Sequence, residues 1–195
     1  MRSARGGLKS TVLLRWSCLA VVLLLAGMGE PVPAAEEPAP FPEPIPLIDF
    51  RIKDQMGKLH TSGYFRDSVV VLVSGDRTGS TFIGKWSPIL ADSLAAEIKS
   101  YRVKFLPHAH LKGAPFFIKG SIKKKFSENP DEWVLMDWDG VFRKAYDLAS
   151  DHCSIVVFDA QGARRIQVAV QEFEPRVFDR TLAGIRALLA KPLPE

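Results

Sequence analysis

The sequence predicts an α/β domain in which a mixed central sheet is covered by helices on both faces. Three observations carry that expectation. Val69-Val70-Val71-Leu72-Val73 is an unbroken aliphatic run, too short to span a membrane and suited to a strand buried on both sides. After the glycine-punctuated turn Ser74–Ser80 the apolar period lengthens, and Phe82, Trp86, Leu90, Leu94 and Ile98 recur every four residues, the stripe of an amphipathic helix. Ser154–Asp159 is a second buried strand, which Ala160-Gln161-Gly162 turns into Arg165–Val170 as a hairpin.

The remaining elements follow in order. Leu47–Ile52 alternates and reads as a strand, Asp54–Lys58 with Gly57 is a turn, and Leu59–Phe65 leads into the central strand. Pro88 interrupts the helical stripe, so either Ser87-Pro88 restarts the helix or the helix kinks there. Val103–Leu106 is a short strand, Pro107–Gly113 is irregular, and Ala114–Ile118 is apolar without a clear period. Ser121 is placed to cap a short helix through Phe126, closed by Asn129-Pro130. Trp133–Asp137 is a strand, turned by Asp139-Gly140 into one or two helical turns over Val141–Leu148. Pro175 opens a final amphipathic helix carrying Val177, Phe178, Leu182, Ile185, Leu188 and Leu189, and Pro192 stops it.

Composition narrows the function classes. The 195 residues carry a formal charge of +4, but Arg2, Arg5, Lys9, Arg15 and Glu30 lie near the N-terminus. Setting these aside leaves 22 basic and 21 acidic side chains, which argues against a nucleic-acid footprint. Those N-terminal bases precede an apolar core, Trp16–Met28, and the small residues Val32-Pro33-Ala34-Ala35. That is the plan of a secretory signal peptide, expected over 1–34 with cleavage after Ala34 or Ala35. The alternative is a membrane anchor, but the 13-residue core falls short of a span. Cys18 stands at the front of that core rather than its end, unlike a lipoprotein anchor. A proline-rich linker is expected over 35–46, the domain over 47–191 and a tail over 192–195. Beyond the leader only Cys153 remains, and a lone cysteine makes no internal disulfide.

A family resemblance rests on particular stretches. Val134–Gly140, Lys144-Ala145-Tyr146 and Ser154–Gly162 resemble the strand, Asp-x-x-Gly turn, Lys-Ala-Tyr helix and closing hairpin of the thioredoxin-like fold, in its exported peroxiredoxin-like and cytochrome-maturation branches. Ile48-Asp49-Phe50 and Asp54–Gly57 fit its first half, so the likeness covers roughly Leu47 to Leu189. Arg77-Thr78, Ser121–Phe126 and Ser154–Gly162 are more closely similar to the small YtfJ family of exported thioredoxin-fold proteins.

The resemblance implies two landmarks, and both are missing. Redox-active relatives end the central strand in Cys-x-x-Cys or one peroxidatic cysteine, where the helix N-terminus lowers the thiol pKa. The corresponding positions fall within Thr78–Phe82, and none is cysteine. The proline that such relatives hold in the cis form before the hairpin is replaced by His152 or Cys153. Thiol–disulfide exchange needs an attacking and a resolving thiol, so it is excluded within one chain.

Several constellations remain as candidate sites. Asp76, Arg77, Thr78, Ser80 and Thr81 could form an anion or peptide-terminus pocket at the helix start, with Arg77 as the donor fork. The plainer reading is a capped turn in which Asp76 pairs with Arg77. The spacing Gly79 to Gly84-Lys85 misses a phosphate-binding loop, because Trp86 holds the hydroxyl position. Cys153 with His152 is either a single-thiol site or a small core residue beside a histidine facing the other way. His108 and His110 would share one face of an extended segment, with His60 or His152 needed to complete a metal site, but no close carboxylate or cysteine supports one and solvated histidines explain them better. No metal or cofactor is expected. Lys119, Lys123, Lys124 and Lys125 read as the solvated face of a short helix, or as a contact for anionic lipid or an acidic partner. Trp133, Trp138 and Tyr146 read as core.

The sequence thus predicts a redox-inactive thioredoxin-fold protein of the periplasm, acting as a binding or accessory module. Its contact surface would lie between the Asp76–Thr81 loop and the residues around Cys153. A periplasmic protein or a small anionic ligand is the expected partner, with no nucleic acid and no membrane contact except through an uncleaved leader. The alternative is a thiol oxidoreductase or peroxidase-like enzyme that attacks with Cys153 and relies on an external thiol.

Overall fold

The structure, a computed structural model, describes residues 45–191. The expected signal peptide, most of the linker and the tail lie outside the described residues. The chain runs through β1 (Arg51–Lys53), β2 (Leu59–Thr61), β3 (Val69–Gly75), α1 (Ser80–Ser93), α2 (Ala95–Lys99) and β4 (Val103–His110). It continues through α3 (Lys119–Lys123), β5 (Leu135–Asp137), α4 (Val141–Tyr146), β6 (Cys153–Phe158), β7 (Arg164–Val170) and α5 (Pro175–Leu189).

The aliphatic run predicted to be central is central. All seven residues of β3 are buried, and the five-stranded sheet is ordered β5-β4-β3-β6-β7. β3, β4 and β5 are parallel, while β6 runs antiparallel to β3 and pairs with β7 as the predicted hairpin. Because successive side chains on a strand point to opposite faces, β3 and β6 feed two cores. Val69, Val71, Val73, Cys153, Ile155 and Val157 face α1 and α5, meeting Trp86, Leu90, Leu94, Phe178 and Ile185. Val70, Leu72, Val156 and Phe158 face the other way, onto Phe50, Phe65, Phe142 and Tyr146. Helices therefore cover both faces, and the α/β expectation holds.

Several boundaries differ from the sequence reading. The Leu47–Ile52 strand shrinks to β1, which pairs only with β2 in a separate ribbon. Its leading residues lay their side chains on the second core, and their amides bond elsewhere: Leu47 N–H donates to the Gly162 carbonyl and Ile48 N–H to the Tyr146 hydroxyl. α1 continues through Pro88 rather than restarting there, the ring standing one turn after the exposed Gly84; the helix ends at Leu94, which stays in the core, and α2 follows. β4 extends through Pro107 to His110, where an irregular stretch was expected. β5 joins β4 only from His108 onward, so Pro107 occupies an edge position of the kind prolines tolerate. Ser121 falls inside α3 rather than capping it.

Candidate functional site

Parallel β3, β4 and β5 end together, and antiparallel β6 begins there. One end of the sheet therefore gathers the turn after β3, His110, the turn after β5, and the residues before β6. This is where the sequence placed its candidate residues. The structure adds partners that the sequence did not reveal.

Asp76 organises the turn. Its Oδ1 accepts the Gly79 amide at 2.9 Å and its Oδ2 the Asp151 amide at 2.9 Å. Its ion-pair partner is Arg143 at 3.8 Å, on α4, and not Arg77, whose side chain is exposed. Burial alone would raise the Asp76 carboxyl, but the two amides and the Arg143 charge outweigh it and hold the group below its ordinary value. The carboxylate thus occupies the electropositive start of the turn leading into α1, where an outside anion was expected to bind.

The next amides along the turn are also engaged. Ser80 N–H donates to the Asp76 carbonyl, Thr81 N–H to Thr78 and Phe82 N–H to Gly79. The Ser80 hydroxyl donates to the Arg77 carbonyl and the Thr81 hydroxyl to that of Thr78. The four amides of Gly79, Ser80, Thr81 and Phe82 are therefore satisfied from within. What Arg77, Thr78, Ser80 and Thr81 present is an exposed polar ridge.

The expected groove between this loop and Cys153 is closed. A Cβ at Gly79 would stand 2.1 Å from the His152 carbonyl oxygen, so the two backbones are in direct contact. The remaining cavity, about 10 Å³, lies on the α4 side and is lined by Ser74, Asp76, His110, Arg143, His152 and Ser154 among others. It has room for about one water molecule.

Cys153 faces the opposite core, at 0% exposure, and burial pushes its thiol up to about 12. A nucleophilic thiol must be ionised and reachable; this one is neither. His152, one residue earlier, sets its Nδ1 2.5 Å from the Ser150 carbonyl and leaves the sulfur alone.

The histidines expected on one face do share it, though they do different things. His108 is fully buried, with Nδ1 2.7 Å from the Ser74 hydroxyl and Nε2 3.0 Å from Asp137 Oδ2. Asp137 also accepts the amides of Gly140, Val141 and Phe142, capping α4. Burial would raise this carboxyl, but His108 and those amides hold it below its ordinary value. Ser74, His108 and Asp137 are the residue types of an acyl-transfer triad. Here the hydroxyl is buried and the adjoining cavity admits no substrate, so the chain of bonds is a structural tie between β3, β4 and β5.

His110 lies beside Gly140, where a positive φ of 72° and a Cβ-to-ring approach of 2.9 Å both require glycine. Its Nδ1 is buried without a hydrogen-bond partner. Burial, then the Arg143 charge, push the imidazole below its ordinary value. His60 is engaged elsewhere: it pairs with Asp54 at 2.8 Å and stacks on Trp133. Among the described residues no three His, Cys, Asp or Glu side chains stand where they could hold a metal.

The sequence reading missed Ser74, Arg143, Asp151 and the His108–Asp137 pair. Only the spacing of Asp137 before Gly140 hinted at a helix cap.

No protein-family model matches the chain, and no curated protein matches it. Solved structures do. BsSco, a member of the Sco family of cytochrome c oxidase assembly proteins, matches with a TM-score of 0.56 at 10% identity, over 77% of this chain and 97% of its own. A protein from Chlorobium tepidum, described as a candidate thiol:disulfide interchange protein DsbE, matches with a TM-score of 0.58 at 17% identity, over 75% and 97%. The exposed lipoprotein thioredoxin Etrx1 of Streptococcus pneumoniae matches with a TM-score of 0.51 at 19% identity, over 70% and 98%. At such identities the likeness concerns architecture alone. Together with the strand order and the two helical layers, it shows that the chain has the thioredoxin-like fold.

Proposed function

We propose that this chain is a redox-inactive thioredoxin-fold protein, related to the exported YtfJ-like proteins it resembles and working in the periplasm as a binding or accessory module. One observation carries the reading. The turn between β3 and α1, where redox-active relatives carry their thiols, reads Thr78-Gly79-Ser80-Thr81, and the single cysteine of the domain is sealed in the opposite core. The Asp76 carboxylate fills the electrostatic niche that would otherwise stabilise a thiolate. Export is supported by the signal-like leader in the sequence and by solved neighbours that include a lipoprotein thioredoxin. No helix among the described residues is long and apolar enough to cross a membrane.

The contact surface is the exposed ridge of Arg77, Thr78, Ser80 and Thr81. A protein partner suits it better than a small anion, because the amides of Gly79, Ser80, Thr81 and Phe82 are already bonded and the cavity beneath is too small. Two measurements test the proposal. Insulin reduction and peroxide turnover by the purified protein should stay at background and be unaffected by Cys153→Ser; robust turnover in either assay overturns it. Affinity capture from a periplasmic extract should retain a protein that Arg77→Ala releases, and a chain that retains nothing is not a binding module of this kind.

A further inference from the structure

We infer that the segment between β4 and β5 is a docking element for an anionic phospholipid surface. The first part of this segment, Leu111 to Ser127, carries five lysines, at 112, 119, 123, 124 and 125, and no acid; the segment's three acids, Glu128, Asp131 and Glu132, follow it just before β5. Among the described residues none of the five pairs with a carboxylate. Lys119 lies over the Trp138 ring, 4.8 Å from its centroid. In the middle of this basic stretch, Pro115 leads into a 3-10 turn that presents Phe116 at 83% exposure and Phe117 at 73%. The two rings meet edge to face, 6.0 Å apart, and neither belongs to either core.

Two adjacent bare phenylalanines beside lysines that have no carboxylate partner among the described residues need a partner that is both apolar and negative. A bilayer with acidic headgroups offers both, one below the other. An acidic protein fits less well. Protein hot spots favour Trp, Tyr and Arg, which combine contact area with directed hydrogen bonds, whereas this segment uses phenylalanine, with no polar handle. Its cations are all lysines, point charges suited to a diffuse field of phosphates rather than to forked recognition of single carboxylates. The aromatic pair is also a protrusion on a single turn, shaped to enter a soft surface. Because β4 ends at His110, the segment leaves the sheet at the same end as Asp76 and the ridge beside it.

The test uses the full chain with vesicles of phosphatidylcholine alone and of phosphatidylcholine with an equal part of phosphatidylglycerol. Backbone hydrogen exchange over residues 112–126 is the local readout, so contributions from the N-terminal leader do not enter it. Exchange in this stretch should slow on the mixed vesicles only, and the protection should fade as salt is raised. Lys123→Gln/Lys124→Gln/Lys125→Gln should shift the lipid concentration needed for protection by about 100-fold. Phe116→Ser/Phe117→Ser should abolish protection, and both variants should melt like the parent because the substituted positions lie outside both cores. Unchanged exchange on mixed vesicles overturns the inference, as does protection that survives both sets of substitutions. Polyglutamate that protects the stretch as well as lipid does, with the serine variant unaffected, also overturns it and assigns the surface to an acidic protein.

Discussion

The backbone of Gly79 rests directly on the carbonyl of His152, an approach so close that a methyl group at position 79 would stand 2.1 Å from that oxygen. This contact closes the loop after β3 onto the start of β6. Gly79→Ala should therefore force the two segments apart at a cost of about 2 kcal/mol. Gly84→Ala, in the exposed part of α1 with nothing within 4 Å of the added carbon, should instead stabilise by about 0.5 kcal/mol. Urea unfolding of the two variants checks the contrast, and a neutral Gly79→Ala would mean that the loop stands away from His152 in solution.

Asp76 and Arg77 are neighbours with opposite roles. Asp76→Ala should lower stability by about 1–2 kcal/mol, since it removes the bonds from Gly79 and Asp151. Arg77→Ala should leave the melting curve unchanged while releasing a captured partner. A stability loss of similar size for both would mean that the ridge is held by Arg77 after all.

Acid should weaken the fold in two steps. The imidazole of His110 lies below its ordinary value of 6.5 in the folded chain, so the unfolded chain takes up the proton first and stability falls as pH drops below about 6.5. His110→Leu should flatten this first decline. Asp54, Asp76 and Asp137 are held below their ordinary 3.8. Their contribution is fully present above that value and is lost as pH falls through their folded values. Asp137→Asn should cost about 1–3 kcal/mol at neutral pH by leaving a buried donor unmatched. Denaturant midpoints measured against pH would reveal both steps.

The Cys153 thiol should react with an aromatic disulfide reagent only as fast as the protein unfolds, across the accessible pH range. Cys153→Ser should cost about 1–3 kcal/mol, because a hydroxyl would then sit among Ile155, Trp86 and Ile185 without a partner. Rapid labelling in native buffer would contradict the burial described above.

What the sequence disclosed and what it withheld have a common cause. Runs such as Val69–Val73 and spacings such as Phe82, Trp86 and Leu90 state their burial locally, so the central strand, its helix and the closing hairpin could be read directly. Pro107 misled because its tolerance in β4 depends on where β5 joins, a fact about another segment. The site was less legible for the same reason. That Asp76 turns to Arg143 and Asp151 rather than to the adjacent Arg77, and that His108 bridges Ser74 and Asp137, are relations across 29 to 75 residues of chain. No local pattern announces them. Cys153 could be placed on a buried strand from its neighbours, yet the face it occupies followed only once the two cores were assigned.

The seclusion of Cys153 also bears on how the molecule fares among oxidants. Cys153 is the one thiol among the described residues, and with the α1 and α5 layer walling it in it gives a disulfide-forming catalyst nothing to grip, and two copies cannot become covalently linked through it. Any such trapping is confined to the interval before folding is complete. A folded copy then needs no reducing partner to keep that sulfur unmodified.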